Sequence, residues 1–235
     1  MGQGGGIKLS NAQIDRLGDR LRKGGVSDDD LRLLNAYRGS FAEAYQELVA
    51  IIRNATQLEP KARPAKSTTS IIAKLRRQPI RLSRMQDVAG CRLIVRGAVE
   101  QSQVVERLKT SLTKAVVVDR RKKTSHGYRA VHIIATVRNR PIEIQVRTEV
   151  QHLWAQLSEK LSDSIDPAIK YGGGDSEIQK FLSALSLGFE NLEDLELQRD
   201  TAEVARGFNL MLRQLLELGE LVFAARKVRR NDLSN

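Results

Sequence analysis

The chain has 235 residues, 41% of them hydrophobic, a net charge of +11 and a single cysteine. That hydrophobic share supports one sizeable core with helical additions, or at most two small domains. Cys91 alone rules out an internal disulfide, no apolar run nears the roughly 18 residues of a membrane span, and the glycine-rich start lacks the apolar stretch of a secretory signal. A cytoplasmic protein without membrane attachment is therefore expected.

After a loose glycine-rich tail, a first helix is predicted from Asn11 to Lys23, with Ile14, Leu17 and Leu21 on one stripe and Gly24-Gly25 ending it. Arg20, Arg22 and Lys23 gather at its end, where cations suit the helix dipole. RNA contact by Arg22 and Lys23 is the alternative use of that charge. Ser27 with Asp30 three residues on makes a capping box, and one long amphipathic helix is predicted to run from there through Leu31, Leu34, Tyr37, Phe41, Tyr45, Leu48 and Ile52. Residues 1–56 read as a helical cover on a core that follows.

The middle of the chain is where the charge sits. Residues 53–140 hold 21 Lys and Arg against 5 Asp and Glu, an excess that suits a solvated surface or a polyanionic ligand, nucleotide or nucleic acid. In KARPAKSTTSIIAKLRR a Ser/Thr cluster starts a helix on which Ser70 and Lys74 share a face, with Lys66 one turn earlier. Lysines and a hydroxyl at a helix N-terminus can hold a triphosphate, assisted by unpaired backbone N–H groups; a solvated basic helix is the plainer reading.

Asp87 precedes a strand predicted from Cys91 to Val95, which carries Arg92. A helix from Val99 to Ser111 and a strand from Ala115 to Asp119 continue a β-α-β rhythm. Then RRKKTSHGYRAVHII sets the cations Arg121, Lys122 and Lys123 in a polar loop before Gly127-Tyr128 and a strand bearing His132. Tyr128 offers a ring for stacking a base beside cations for its phosphates; solvated charge is the alternative. The strand from Pro141 alternates Ile142, Ile144 and Val146 with Glu143, Gln145 and Arg147, and a helix capped by Thr148 follows. If the strands after Asp87 and through Glu143 are neighbours, the two carboxylates can hold one Mg²⁺.

Lys66-x3-Ser70-x3-Lys74, Asp87-x-x-Gly90-x-Arg92, Gly127-Tyr128-Arg129-x-x-His132 and Glu143-Ile-Gln145-Val-Arg147-Thr with His152-x-Trp154-Ala155 together resemble the synthetase domain of the RelA/SpoT-homologue family. The compact length is similar to that of small alarmone synthetases, particularly their toxin branch. The resemblance implies an α+β fold, a mixed sheet of about five strands flanked by helices, nucleotidyltransferase-like, with helical extensions at both ends. It also implies transfer of the β,γ-pyrophosphate of ATP to a 3′-hydroxyl, with Asp87 and Glu143 holding Mg²⁺.

On that resemblance Lys66, Ser70 and Lys74 bind the ATP phosphates, and Arg63 with Arg92 clasps the adenine. Tyr128 stacks the acceptor's base beside Gly127, Arg121, Lys122 and Lys123, while His132, Gln145 and Arg147 orient the acceptor. Glu143 is a candidate base for the 3′-hydroxyl, a task that an elevated pKa would serve. The family has Arg-x-Lys before the serine, whereas here Pro64 stands in that place and the arginine is one step earlier, at Arg63. DRRKKTSH replaces the usual aromatic and proline-lysine run before Gly-Tyr, so the acceptor stays open: GDP or GTP, an adenine nucleotide, or the 3′ end of tRNA. A non-catalytic RNA-binding module on the same fold is a further alternative.

The core is expected over residues 57–170, with an extension over 175–235 beyond a hinge at Gly172-Gly173-Gly174. The extension reads as two leucine-striped helices, Ser176–Asp200 and Ala202–Arg229, that pack on the core, form an oligomer or receive a partner. The three histidines make no His-Asp dyad of the kind a degradative domain needs. An antitoxin protein or a separate hydrolase is expected to restrain the activity.

Overall fold

The computed structural model describes residues 9–63 and 66–199, together with Arg213 and Glu217. The predicted Ala202–Arg229 helix lies outside the described residues. Five strands, β1 (Lys61–Arg63), β2 (Gly90–Val95), β3 (Ala115–Asp119), β4 (Val131–Val137) and β5 (Arg140–Thr148), form one mixed sheet in the order β1-β2-β5-β4-β3. The fold is α+β with helices around that sheet, as the resemblance implied, and α5 (Ala98–Ser111) connects β2 to β3. No helix among the described residues is long and apolar enough to cross a membrane.

The chain divides into two compact units, one of Met1–Leu93, Glu106–Val118 and His132–Gln145, the other of Ile94–Val105, Asp119–Val131 and Val146–Asn235. In the first, α1 (Asn11–Lys23) starts at Ser10, whose hydroxyl accepts from the Gln13 N–H while the Gln13 side chain returns to the Ser10 N–H. Its stripe of Ile14, Leu17 and Leu21 is buried. α1 packs on α4 (Thr68–Arg77) and on a tight turn at Leu82–Arg84. Gly18 makes that approach possible, because a Cβ there would lie 2.7 Å from the Leu82 Cβ.

The single long helix expected after Ser27 is two helices, α2 (Asp28–Gly39) and α3 (Ala42–Thr56). The break falls at Gly39-Ser40, a glycine that weakens helix and a serine whose hydroxyl takes the Tyr37 carbonyl at 2.6 Å. The bend leaves Tyr37 and Phe41 in edge-to-face contact at 5.3 Å, both buried, with the Arg140 guanidinium over the two rings.

β4 and β5 form a hairpin through Arg138 and Asn139, both at positive φ (47° and 62°), the twist-matched two-residue turn. Along β5, Ile142, Ile144 and Val146 are fully buried as the alternation predicted. The opposite face is not given to water either: Gln145 and Arg147 are 6% and 3% exposed.

In the second unit, Thr148 caps α6 (Glu149–Ser164) in a capping box with Gln151. α7 (Ser176–Arg199) packs on α6 through Val150, Trp154, Leu157, Leu161, Leu182 and Phe189. The glycine triplet expected to be a hinge is a hydrogen-bonded turn. Gly173 N–H donates to Ala168, Gln179 donates to the Ile169 and Gly173 carbonyls, and a Cβ on Gly172 (φ 81°) would strike the His126 ring.

Candidate active site

The first unit gathers most of the predicted donor and metal residues. β1 pairs antiparallel with β2, setting Lys61 opposite Arg92 and Arg63 opposite Gly90, and the Lys66 N–H then donates to the Val88 carbonyl at 2.9 Å. Ser67 caps α4 by accepting the Ser70 N–H, and the helix carries Lys74 back toward the chain before β2. There Asp87 receives both lysines, Lys66 Nζ on Oδ2 and Lys74 Nζ on Oδ1, each at 2.7 Å. All three side chains are no more than 20% exposed. Burial pushes the Asp87 carboxyl up, but hydrogen bonds and charge from the two lysines outweigh it and hold it down at about 2. Asp87 is thus an ionised carboxylate between two ammonium groups rather than a turn cap.

Glu143, on β5, is held on both oxygens: His132 Nδ1 on neighbouring β4 lies 2.8 Å from Oε1, and Gln145 Nε2 donates to Oε2 at 2.7 Å. Burial raises its carboxyl, yet the bond and charge of His132 and the Gln145 amide prevail, so it sits below the ordinary glutamate range. The elevated value that a base role would favour is not found, because the donors on Glu143 favour its charged form. Asp87 acts in the opposite sense and raises Glu143, so the two carboxylates lie within electrostatic reach of each other. Gly90 makes that neighbourhood tight, since a Cβ there would lie 2.7 Å from the Glu143 carbonyl oxygen. Cys91, buried beside it, has its thiol pushed up to about 12 by burial and by the Glu143 charge, and is inert.

Among the described residues no group of three His, Cys, Asp or Glu side chains could hold a metal ion. Two ionised carboxylates in electrostatic contact do fit a hard cation that takes its remaining oxygens from water and substrate phosphates. Arg92 is half-buried on β2, and Ser70 is exposed, its hydroxyl bonded to Ser67 at 2.9 Å. The Arg63 side chain lies outside the described residues.

The second unit holds the predicted acceptor residues. Ser125 and Tyr128 exchange backbone hydrogen bonds around His126 and Gly127, both at positive φ (52° and 82°). Gly127 is needed there for a second reason: a Cβ would lie 2.8 Å from the Trp154 ring. Arg147 Nη2 donates to the Tyr128 hydroxyl at 2.9 Å, its guanidinium carbon lies 5.0 Å from the ring centroid, and Trp154 meets the ring edge at 6.4 Å.

The loop cations have different surroundings from those expected. Arg121 forks onto Asp119 and reaches the Ser102 hydroxyl, Lys122 binds Glu190 and Asp194, and Lys123 is exposed. Arg22, read as a possible RNA contact, donates from Nε to the Leu75 carbonyl at 2.8 Å and from Nη2 to the Ile80 carbonyl, fastening α1 to the end of α4; Lys23 is exposed.

Residues that sequence reading passed over are the acids of α7. Glu190 binds the buried Arg129 at 2.6 Å, and Glu193 accepts from the Thr148 hydroxyl at 2.5 Å and from Gln151 at 2.8 Å. Their signal was an acidic i, i+3, i+4 pattern on a leucine-rich helix, which reads equally well as a solvated face.

Comparison with known proteins gives matches to the same region. The family described as "Region found in RelA / SpoT proteins" matches residues 63–162. Uncharacterised proteins of Mycobacterium tuberculosis and Mycobacterium bovis are 31% identical over 172 residues, 69% of this chain and 62% of theirs. The chain therefore spans under two thirds of those relatives. A GTP pyrophosphokinase of Bacillus subtilis is 28% identical over 160 residues, 60% of this chain and 72% of that protein. In fold, the chain is similar to small alarmone synthetase 1 of Bacillus subtilis bound to its product pppGpp, with a TM-score of 0.59 at 20% identity over 71% of this chain and 96% of that one. It is likewise similar to a GTP pyrophosphokinase family protein of Streptococcus pneumoniae, with a TM-score of 0.56 at 21% identity over 78% and 98%.

Proposed function

From the match of residues 63–162 to the region found in RelA / SpoT proteins and the likeness in fold to small alarmone synthetases, we propose that the protein is a pyrophosphokinase that moves the β,γ-pyrophosphate of ATP to the 3′-hydroxyl of a nucleotide. The observation that carries this reading is the Lys66–Asp87–Lys74 cluster with Glu143 in its electrostatic reach. Two ammonium groups suited to phosphates beside two carboxylates suited to a cation together favour a metal-bound triphosphate.

In this reading Lys66, Lys74 and Ser70 bind the ATP phosphates, and Arg63 and Arg92 the adenine. Asp87 and Glu143 would hold the divalent ion, Mg²⁺, which draws off charge on the transferred phosphoryl groups when bound. His132, held against Glu143 through Nδ1, orients the acceptor. Gln145 steadies Glu143. Tyr128, with Arg147 on its hydroxyl, stacks the acceptor base. Lys123 adds charge for acceptor phosphates, while Arg121 and Lys122 are held by Asp119 and by Glu190 and Asp194. In-line positioning and charge stabilisation are most of what such a transfer asks of an enzyme.

GTP is the acceptor favoured by the relatives' activities, with GDP as its near analogue. The +16 balance of residues 53–140 favours a second acceptor, the 3′ end of tRNA, with an adenine nucleotide as a third. A growth-inhibiting, cytoplasmic toxin restrained by an antitoxin or hydrolase, with the chain as a possible homo-oligomer, accompanies this proposal. The test is incubation with γ-labelled ATP and Mg²⁺, offering GDP, GTP, ADP or deacylated tRNA separately. Label is expected in a guanine nucleotide. Label in tRNA alone transfers the same chemistry to the second acceptor, and no label with tRNA still retained on a filter replaces the proposal with a non-catalytic RNA-binding module.

A further inference from the structure

Helix α7 turns one stripe toward the turn that carries Tyr128. Leu182, Ser186 and Glu190 follow one another at helical spacing. The Leu182 carbonyl accepts from Trp154 Nε1 at 2.8 Å, the Ser186 hydroxyl donates to the Gly127 carbonyl at 2.7 Å, and Glu190 Oε2 accepts from Arg129 Nη1 at 2.6 Å. Lys122 Nζ reaches the other Glu190 oxygen at 3.2 Å. Glu190 therefore fastens the chain on both sides of the Ser125–Tyr128 turn, through Lys122 before it and Arg129 directly after Tyr128.

The two fastenings differ in weight. The Lys122 side chain is 68% exposed, where an ion pair contributes little. The Arg129 side chain is 4% exposed, so replacing Glu190 removes the carboxylate bonded to a buried guanidinium, which Asp119 and Glu193 reach as charges, and loosens the backbone next to Tyr128. Every residue of α7 lies outside the 63–162 match.

We infer that Glu190 is a positioning residue for the acceptor turn, so that a helix beyond the RelA/SpoT region sets acceptor affinity. The acceptor role of Tyr128 rests on the function proposed above; the fastening of the turn does not. Trp154 is the only tryptophan in the chain, and it touches both the turn and α7, so its fluorescence reports on the junction without any substrate.

The full chain is compared with Glu190→Gln, Ser186→Ala and, as a control, Asp194→Asn, whose partner is the exposed Lys122. Glu190→Gln is expected to make Trp154 more accessible to iodide and to raise the acceptor KM about tenfold or more, with the ATP KM within twofold of wild type. Ser186→Ala, which leaves every charge in place, should move both readouts in the same direction by less and carries the test if Glu190→Gln does not fold. Asp194→Asn should match wild type. Wild-type quenching in both Glu190→Gln and Ser186→Ala overturns the proposal, and so does an ATP KM that rises in step with the acceptor KM. Should the wild type transfer to no acceptor, the functional reading falls, and Trp154 quenching alone decides whether Glu190 sets the turn.

Discussion

His132 and Glu143 face each other across neighbouring strands, the imidazole Nδ1 2.8 Å from the carboxylate Oε1. The pairing does two things at once. It draws Glu143 into its charged form despite burial, which suits a metal-holding carboxylate, and it orients the imidazole ring.

Asp87→Ala and Glu143→Ala are each expected to lower pyrophosphate transfer below about one hundredth of wild type while leaving the far-ultraviolet circular dichroism unchanged. The fold should survive because the sheet is held by Ile142, Ile144, Leu93 and Ile133, all at most 1% exposed, rather than by either acid. Transfer within a few-fold of wild type in either variant removes that residue from the site.

Tyr128→Phe and Tyr128→Ala separate the ring from its hydroxyl. Phe keeps the stacking face and loses the bond from Arg147, so a few-fold rise in acceptor KM is expected. Ala removes the ring, and stacking on an aromatic contributes about 1–3 kcal/mol per base, so a rise of about tenfold or more is expected with little change in the ATP KM. Equal effects of the two variants on acceptor and ATP count against stacking.

Glu193 gives the pH prediction. It is 6% exposed at the start of α6, and burial raises its carboxyl, only partly offset by the Thr148 and Gln151 donors and by Arg129, with Glu196 adding to the rise. A raised acid holds its proton longer in the folded than in the unfolded chain, so wild-type stability falls as pH climbs above the ordinary value of 4.5. Glu193→Gln keeps an oxygen for both donors and does not titrate. Chemical denaturation at pH 4 and pH 8 should show its stability relative to wild type improving toward the higher pH; a difference independent of pH would refute the assignment.

Gly90→Ala tests the tightness of the site. The added methyl would press on the Glu143 backbone at 2.7 Å, and overpacking of this kind costs about 1–3 kcal/mol. The variant should melt lower and, because the displaced residue is Glu143 itself, lose activity beyond what its stability explains. Wild-type activity at a temperature where the variant is folded would contradict this.

Much of this was legible in the residues. The capping box at Ser27 and the cap at Thr148 marked two helix starts, the Ile142-Ile144-Val146 alternation marked the central strand, and the Ser/Thr cluster before Ser70 and Lys74 marked the start of α4. The long helix was misread because periodicity ran through Gly39-Ser40 without interruption. There a serine hydroxyl competes for one carbonyl, a local contest that the apolar stripe does not record. At the glycine triplet the sequence did not announce the close approach of Gly172 to the His126 ring, because that contact joins residues 46 positions apart.

What the order of amino acids determined by itself is the inventory: which side chains share a strand face or helix stripe, and hence that acid, amide and guanidinium follow one another on β5. Only the tertiary structure decided how the charges pair. Lys66 and Lys74 close on Asp87, and Glu190 closes on Arg129 61 residues away. The reason is range, since periodicity is set by neighbours three or four positions apart, while the partner of a buried charge is whichever opposite charge the whole fold brings within bonding distance.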